Sequence, residues 1–257
     1  MLITVVADYG VGDLAFAEVR QRFAKLMPQA EVIAVPVAPF DTVGAGFCVA
    51  QLAFGDGPGD RIVYANVAPR QDEENPRADN AGEPLAAARL DSGVLVAGVA
   101  AGASLSFLAA EGVTLRAVKA PDAGSQFRSR DVFPAAVAAL ARGDDLLGEE
   151  LTVPPAPERT VLYTDGYGNL KTSWYEPPAP VGTRVRVRIG DATAEAMVTD
   201  GVFAVPAGTM SFAPGSSGWH GRAFYELLAR GGSAARILGD PRAGTPVEID
   251  TYGPVQR

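Results

Sequence analysis

The stretch Asp165-Gly-Tyr-Gly-Asn169-Leu-Lys-Thr172-Ser places a carboxylate, a phenol and a carboxamide within one tight turn. Gly166 and Gly168 permit backbone angles that other residues resist. Asp165, Tyr167 and Asn169 can then project toward one point just past a strand at Thr160–Thr164, as a ligand-binding turn requires. An ordinary hairpin turn uses the same Gly and Asn chemistry, so both readings stand. Asp8 is the second candidate. It follows the apolar run Leu2 to Ala7, and a carboxylate at the carboxyl end of such a strand can accept hydrogen bonds from the vicinal hydroxyls of a ribose.

Other groups are weaker. Gly10-Val-Gly12-Asp-Leu-Ala15 follows that strand and opens a helix, imitating the glycine fingerprint of dinucleotide sites. The fingerprint needs a helix N-terminus free for a pyrophosphate, whereas Asp13 aims a carboxylate at it. The second strand also ends at Val35-Pro-Val37 without an acid for the ribose. A dinucleotide is therefore rejected. Asp72-Glu-Glu74 is an acidic run on one loop, without histidine or further acids at fixed spacing, and reads as solvated rather than as a metal site. No metal and no cofactor are expected. Tyr9, Tyr64 and Trp174 read as core aromatics or as adenine-stacking residues. His220, the only histidine, sits in Ser217-Gly-Trp-His-Gly221 and reads as a surface residue.

The elements that must hold these residues follow from patterning. The 257 residues suit one large or two unequal domains, with 47% hydrophobic residues, enough for a sizeable core. In the first half, strand-like and helix-like patterns alternate, which predicts a sheet flanked by helices. Asp13 caps a helix with Phe16, Val19, Phe23 and Leu26 at helical spacing, and Pro28 ends it. Val32–Val37 and Ile62–Val67 read as strands, and residues from about Asp131 to Arg142 as a helix with Pro134 in its first turn and Gly143 as its stop. The apolar stretch Gly93 to Ala110 is interrupted by Gly98, Gly102, Ser104 and Ser106, which predicts a strand, a turn and a helix instead of a membrane span.

Three prolines in Leu151–Glu158 mark a boundary, giving domains at 1–150 and 160–257 joined by a linker at 151–159. Beyond it, Val185, Val187 and Ile189 alternate with Arg184, Arg186 and Arg188, a strand whose arginines form a solvated face. Turns at Gly190-Asp191 and Thr199–Gly201 then predict an antiparallel meander through Ala192–Val198 and Val202–Val205. The net charge of −8 argues against a nucleic-acid or anionic-membrane partner and for a small molecule. Cys48, the only cysteine, lies in an apolar run, so no internal disulfide forms and the thiol is expected to be buried and inert. With no basic start or leader-like region before Asp8, a cytoplasmic location is expected.

Taken in order, the pieces resemble the S-adenosyl-L-methionine hydroxide adenosyltransferases and their fluorinase and chlorinase relatives. Asp8-Tyr-Gly10 followed by Asp13 resembles that family's Asp-Phe-Gly…Asp, and Pro39-Phe-Asp41 its Pro-x-Asp. Gln126-Phe127-Arg128-Ser129-Arg130-Asp131-Val132-Phe133 is similar to its Thr-Phe-His-Gly-Arg-Asp-Ile-Phe, and Asp165 to Thr172 to its Asp-Arg-Phe-Gly-Asn-Leu-x-Thr. The segment Tyr225 to Ala235 is similar to its closing Leu-Glu-Ile-Ala…Gly-Ser-Ala-Ala. The resemblance implies an α/β protein: an N-terminal α/β domain with a central, largely parallel sheet, then a smaller C-terminal antiparallel β-barrel. It implies a homotrimer with adenosyl sites between subunits. The reaction would be displacement of methionine from the 5′-carbon of S-adenosylmethionine by water, or by halide. Asp8, Asp13, Phe127, Asp165, Tyr167 and Asn169 would bind substrate, and Ser129, Arg128 and Arg77 would serve catalysis.

The chain departs from that pattern where the nucleophile should sit. The family's Asp reads Ala68, its His reads Arg128, and Arg70 and Arg77 compete for its Arg. Halogenating members also lack the histidine and carry Ser where Ser129 stands, so cleavage remains one reading. An adenosyl-binding protein without turnover is the second, and a structural oligomer without ligand, with Arg130 and Asp131 capping a helix and pairing with neighbours, is the third.

Overall fold

The computed structural model describes residues 1–67, 82–121 and 126–251. The chain divides into two compact units, Met1–Ala156 and Pro157–Arg257. The first runs β1 (Leu2–Ala7), α1 (Leu14–Leu26), β2 (Glu31–Pro36), α2 (Thr42–Phe54), β3 (Ile62–Asn66), β4 (Leu85–Arg89), β5 (Leu95–Val99), α3 (Ser106–Ala110), β6 (Arg116–Val118), α4 (Arg128–Asp131), α5 (Phe133–Arg142) and β7 (Leu147–Glu150). Its seven-stranded sheet has the order β2-β1-β3-β5-β4-β6-β7. The first four strands in that order are mutually parallel, and β4, β6 and β7 extend them antiparallel. β1, β3 and β5 are buried on both faces, which is why they read as unbroken apolar runs rather than alternating ones.

Helix starts and stops obey local chemistry. The Asp13 carboxylate accepts the Ala15 N–H at 2.8 Å and opens α1, which buries Val19 and Phe23. α2, which patterning did not single out, is capped by Asp41, whose Oδ1 accepts the Gly44 N–H at 2.7 Å. It packs so closely that a β-carbon on Gly46 would lie 2.2 Å from the Ala103 carbonyl oxygen, so only glycine fits there. Arg61, 8% exposed, closes the other end of α2. Its guanidinium donates to the carbonyls of Leu52, Ala53, Gly55 and Pro58, and its charge suits a helix C-terminus. The expected helix near Asp131 is two pieces: α4, then α5 starting at Phe133 with Pro134 in its first turn and Gly143 at φ 93° as its stop.

The second unit runs β8 (Val161–Thr164), β9 (Leu170–Thr172), β10 (Arg184–Ile189), β11 (Ala192–Val198), β12 (Met210–Trp219), β13 (Arg222–Ala229), α6 (Ala234–Ile237) and β14 (Val247–Thr251). These strands form one sheet in the order β14-β10-β11-β12-β13-β9-β8. It curls until its edges meet at the Thr160–Pro246 bridge, where Val161 N–H donates to Thr245 O and Val247 N–H to Arg159 O. Val185, Val187 and Ile189 point into its core, while Arg186 stands opposite Glu195 and Asp250, and Arg188 pairs with Glu248. Cross-strand acids thus stand opposite Arg186 and Arg188, while Arg184 faces Met197.

One expected strand does not form. Val202–Ala204 is a turn of 3-10 helix, and β11 joins β12 in parallel through Met197–Ser211 and Val198–Phe212 rather than by a hairpin. Thr199 explains the departure: its hydroxyl bonds both the N–H and the carbonyl of Gly201, curling the chain off the sheet before Val202. Among the described residues no helix is long and apolar enough to cross a membrane.

Candidate functional site

Parallel pairing brings the carboxyl ends of β1 and β3 together, with Ala7 opposite Asn66. The crevice beyond the carboxyl ends of parallel strands is where open α/β sheets take ligands. A cavity of about 630 Å³ opens there in the first unit, within the roughly 300–1,000 Å³ of small-molecule sites. It gathers Asp8, Asp13, Phe127, Arg128 and Ser129, five residues singled out from sequence although the two groups lie over a hundred positions apart. It adds Tyr9, which the sequence offered as a core or adenine-stacking aromatic, and Phe40, Asn66 and Glu83, which sequence reasoning missed as cavity groups. Asn66 had a legible signal, a lone carboxamide at the end of the buried strand Ile62–Asn66. Phe40 and Glu83 arrive on loops and had none.

Asp8 holds its position through Phe40: its Oδ2 accepts the Phe40 N–H at 3.0 Å. Phe40 is a non-glycine residue at φ 62°, so this bond pins a strained loop at the cavity rim. Oδ1 has no such partner among the described residues. Asp13 lines the cavity, but its Oδ1 is taken up by the α1 cap.

Ser129, only 5% exposed, is held twice. The Tyr9 hydroxyl donates to its Oγ at 2.7 Å, and the fully buried Tyr64 hydroxyl donates to its carbonyl at 2.9 Å. Tyr64 is therefore a core residue that anchors α4, not a stacking surface. Tyr9 meets Phe16 and Phe127 edge-on, with ring centroids 5.1 and 5.8 Å apart. Burial pushes the Tyr9 phenol well above its ordinary value, and the charge of Asp8 adds to the rise. Tyr9 stays protonated throughout the physiological range.

The Arg128 guanidinium lies 4.7 Å over the Phe133 ring and reaches the Gly82 carbonyl at 3.5 Å. Arg130 forks onto Asp131 and reaches Glu18 at 2.9 Å, so this pair braces α4 against α1. Arg77, Arg70, Ala68 and the acidic run Asp72-Glu-Glu74 lie outside the described residues.

In the second unit the Asp165 turn connects β8 to β9. The three side chains do not project to one point. Asp165 Oδ1 accepts the N–H groups of Tyr167 and Asn169 at 2.9 and 3.0 Å, its Oδ2 accepts from the Asn169 carboxamide at 3.0 Å, and Tyr167 stands 84% exposed. The physical reason is local: an Asx carboxylate next to unpaired turn N–H groups satisfies them first. Gly168, at φ 81°, is crowded by Ser233, the N-cap of α6, and a β-carbon there would lie 2.1 Å from the Ser233 hydroxyl.

Beneath the turn, Lys171 bonds Glu226 at 2.8 Å and stands 4.0 Å from Asp165 Oδ2, while the Ser217 hydroxyl donates to Glu226 at 2.9 Å. Glu226 is 2% exposed. Its signal in the sequence was an acid inside the apolar run Ala223 to Ala229.

His220 is exposed on the turn between β12 and β13. Cys48 is buried in α2, and burial, with the charge of Asp41 adding to it, pushes its thiol up to about 12. Among the described residues no group of three or more His, Cys, Asp or Glu side chains is arranged to hold a metal ion.

No protein-family model matches the chain, and no curated protein matches it. Solved structures do. The chain is similar to an uncharacterized conserved protein from Thermotoga maritima, with a TM-score of 0.77 at 20% identity over 96% of this chain and 100% of that one. It is also similar to a conserved hypothetical protein from Thermus thermophilus, with a TM-score of 0.68 at 25% identity over 96% of this chain and 99% of that one. Both units of the fold are thus shared, in one order, with these proteins.

Proposed function

We propose that the protein binds an adenosyl ligand in the cavity at the carboxyl ends of β1 and β3 and cleaves S-adenosylmethionine there. Water displaces methionine from the 5′-carbon to give adenosine, or halide displaces it to give the 5′-halo nucleoside. The convergence of Asp8, Asp13, Phe127, Arg128 and Ser129 on one cavity of suitable volume carries this reading. The sulfonium is already a good leaving group, so the protein must chiefly hold the ribose, exclude bulk solvent and set one nucleophile, water or halide, in line. Asp8, with Oδ1 available, suits the ribose hydroxyls. Phe127 offers an aromatic wall, and Ser129 and Arg128 offer a hydroxyl and a positive charge for the nucleophile. Arg77, which follows β3 in the sequence, is assigned to the same nucleophile. The same reading takes the protein to be a homotrimer.

A second reading, binding without turnover, is favoured by Arg128 itself. It stands where the resembled family has a histidine, and a guanidinium cannot take a proton from water. The test is incubation of purified protein with S-adenosylmethionine, with and without chloride, and chromatography with mass detection. Adenosine above the background of Asp8→Asn and no-protein controls supports hydrolysis. Chloride-dependent 5′-chloro-5′-deoxyadenosine supports halogenation. Binding with no product assigns the protein to the second reading, and absence of both product and binding refutes the adenosyl assignment.

A further inference from the structure

Ser129 is a serine that as a whole residue is only 5% exposed, yet it lines the cavity. A hydroxyl has one proton to give and two lone pairs to offer. The Tyr9 hydroxyl, 2.7 Å away, occupies one lone pair. Among the described residues nothing accepts the Ser129 proton, while its carbonyl is separately fixed by Tyr64 at 2.9 Å. A buried donor left without an acceptor is costly, so a ligand acceptor entering the cavity would complete the arrangement.

Tyr9 controls what that is. The phenol stays protonated, and in this geometry its hydroxyl is the donor toward Ser129 Oγ. Its donation draws density from the serine oxygen, which strengthens the serine O–H as a donor and weakens the oxygen as an acceptor. The ring cannot swing away, being packed edge-on between Phe16 and Phe127. The sequence pattern that this segment resembles has phenylalanine at this position, so the hydroxyl is this chain's own departure.

We propose that Tyr9 is a positioning residue that turns the Ser129 hydroxyl toward an electron-rich atom of the ligand, so that this end of the cavity selects hydrogen-bond acceptors over donors. The proposal rests on the adenosyl reading only in taking that atom to lie at the 5′ position; the Tyr9–Ser129 pair stands on its own geometry.

The test uses three probes that differ only at the 5′ position: adenosine, 5′-deoxyadenosine and 5′-amino-5′-deoxyadenosine, whose ammonium only donates. Affinities are measured by calorimetry on the native protein, on Tyr9→Phe and on Ser129→Ala. The native protein is expected to prefer adenosine to the amine by about tenfold or more, the scale of one hydrogen bond. In Tyr9→Phe that preference falls to about threefold or less, and in Ser129→Ala it disappears. Affinity for 5′-deoxyadenosine, which makes no bond to Ser129, stays constant across all three proteins; general structural damage would lower it. An unchanged preference in Tyr9→Phe, or an equal loss for all three probes, overturns the proposal. If none of the probes binds the native protein, the adenosyl reading falls separately. The pair is then read without ligand, from the ring-carbon resonance of Tyr9 in protein labelled with 13C-tyrosine. A shift on Ser129→Ala keeps the positioning role, and no shift overturns it.

Discussion

The ribose assignment of Asp8 yields the sharpest test, and the structure dictates which substitution to use. Asp8→Ala removes the acceptor for Phe40 N–H and frees a loop held at φ 62°, so binding and loop stability would fall together. Asp8→Asn keeps a carbonyl oxygen for Phe40 and presents its NH2 group where Oδ1 had been. The side chain then offers donors, without charge, to hydroxyls that needed an acceptor. Two charge-assisted hydrogen bonds are lost at about 1.5 kcal/mol each, the low end of their range, or about 3 kcal/mol in all. At 1.4 kcal/mol per decade this is about 100-fold in affinity.

The assay is calorimetric titration with adenosine and with 2′,3′-dideoxyadenosine. The native protein is expected to bind the dideoxy compound about 100-fold more weakly, whereas Asp8→Asn binds both with similar, weak affinity, since the bonds in question are already gone. The melting temperature of Asp8→Asn should stay within a few degrees of the native value, because the Phe40 bond survives. Equal discrimination between the two nucleosides in both proteins would refute the reasoning, for it would place the hydroxyls elsewhere in the cavity.

Other consequences follow from the same geometry. Lys171→Met strands the 2%-exposed Glu226 carboxylate with only Ser217 and should destabilise the second unit by about 3–5 kcal/mol, whereas Lys171→Met with Glu226→Leu should recover most of it; similar melting by urea for single and double variants would disprove the pairing. Burial raises the Asp41 carboxyl above its ordinary 3.8, partly opposed by the N–H groups of Gly44 and Val43. The unfolded chain therefore ionises first, and this residue's contribution to stability falls as pH rises through the window above 3.8. The melting temperature of the native protein relative to Asp41→Asn should decline across that window, and a flat or rising difference counts against it. With its pKa near 12, the Cys48 thiol is ionised in only about one molecule in ten thousand at pH 8, so iodoacetamide should label it only after unfolding, as intact-mass spectrometry can read. Rapid labelling of native protein would contradict its burial.

The elements closest to the candidate cavity were the most legible. β1 and β3 declared themselves because a strand covered on both faces must be apolar throughout, and α1 because Asp13 and the spacing of Val19 and Phe23 specify its start and buried face. α2 escaped because an apolar run of small residues lacks helical periodicity; its partners, β1, β3 and α3, are what make that run a helix. The parallel joining of β11 to β12 escaped because one Thr199 hydroxyl, not a pattern, bends the chain there.

Sequence alone determined the residue types at the strand ends and the order of the motifs, since strand periodicity and capping act within a few positions of the chain. It also carried the polar groups of the Asp165 turn. Only the tertiary structure decided that Asp8 and Ser129, 121 positions apart, share one cavity. It also decided that Asp8 is spoken for on one oxygen, that the Tyr9 hydroxyl reaches Ser129 Oγ, and that Asp165 turns inward to its own backbone. These outcomes depend on which donor reaches an acceptor first in three dimensions, and hydrogen bonds, effective only within about 3 Å, carry no trace of that competition in the linear sequence.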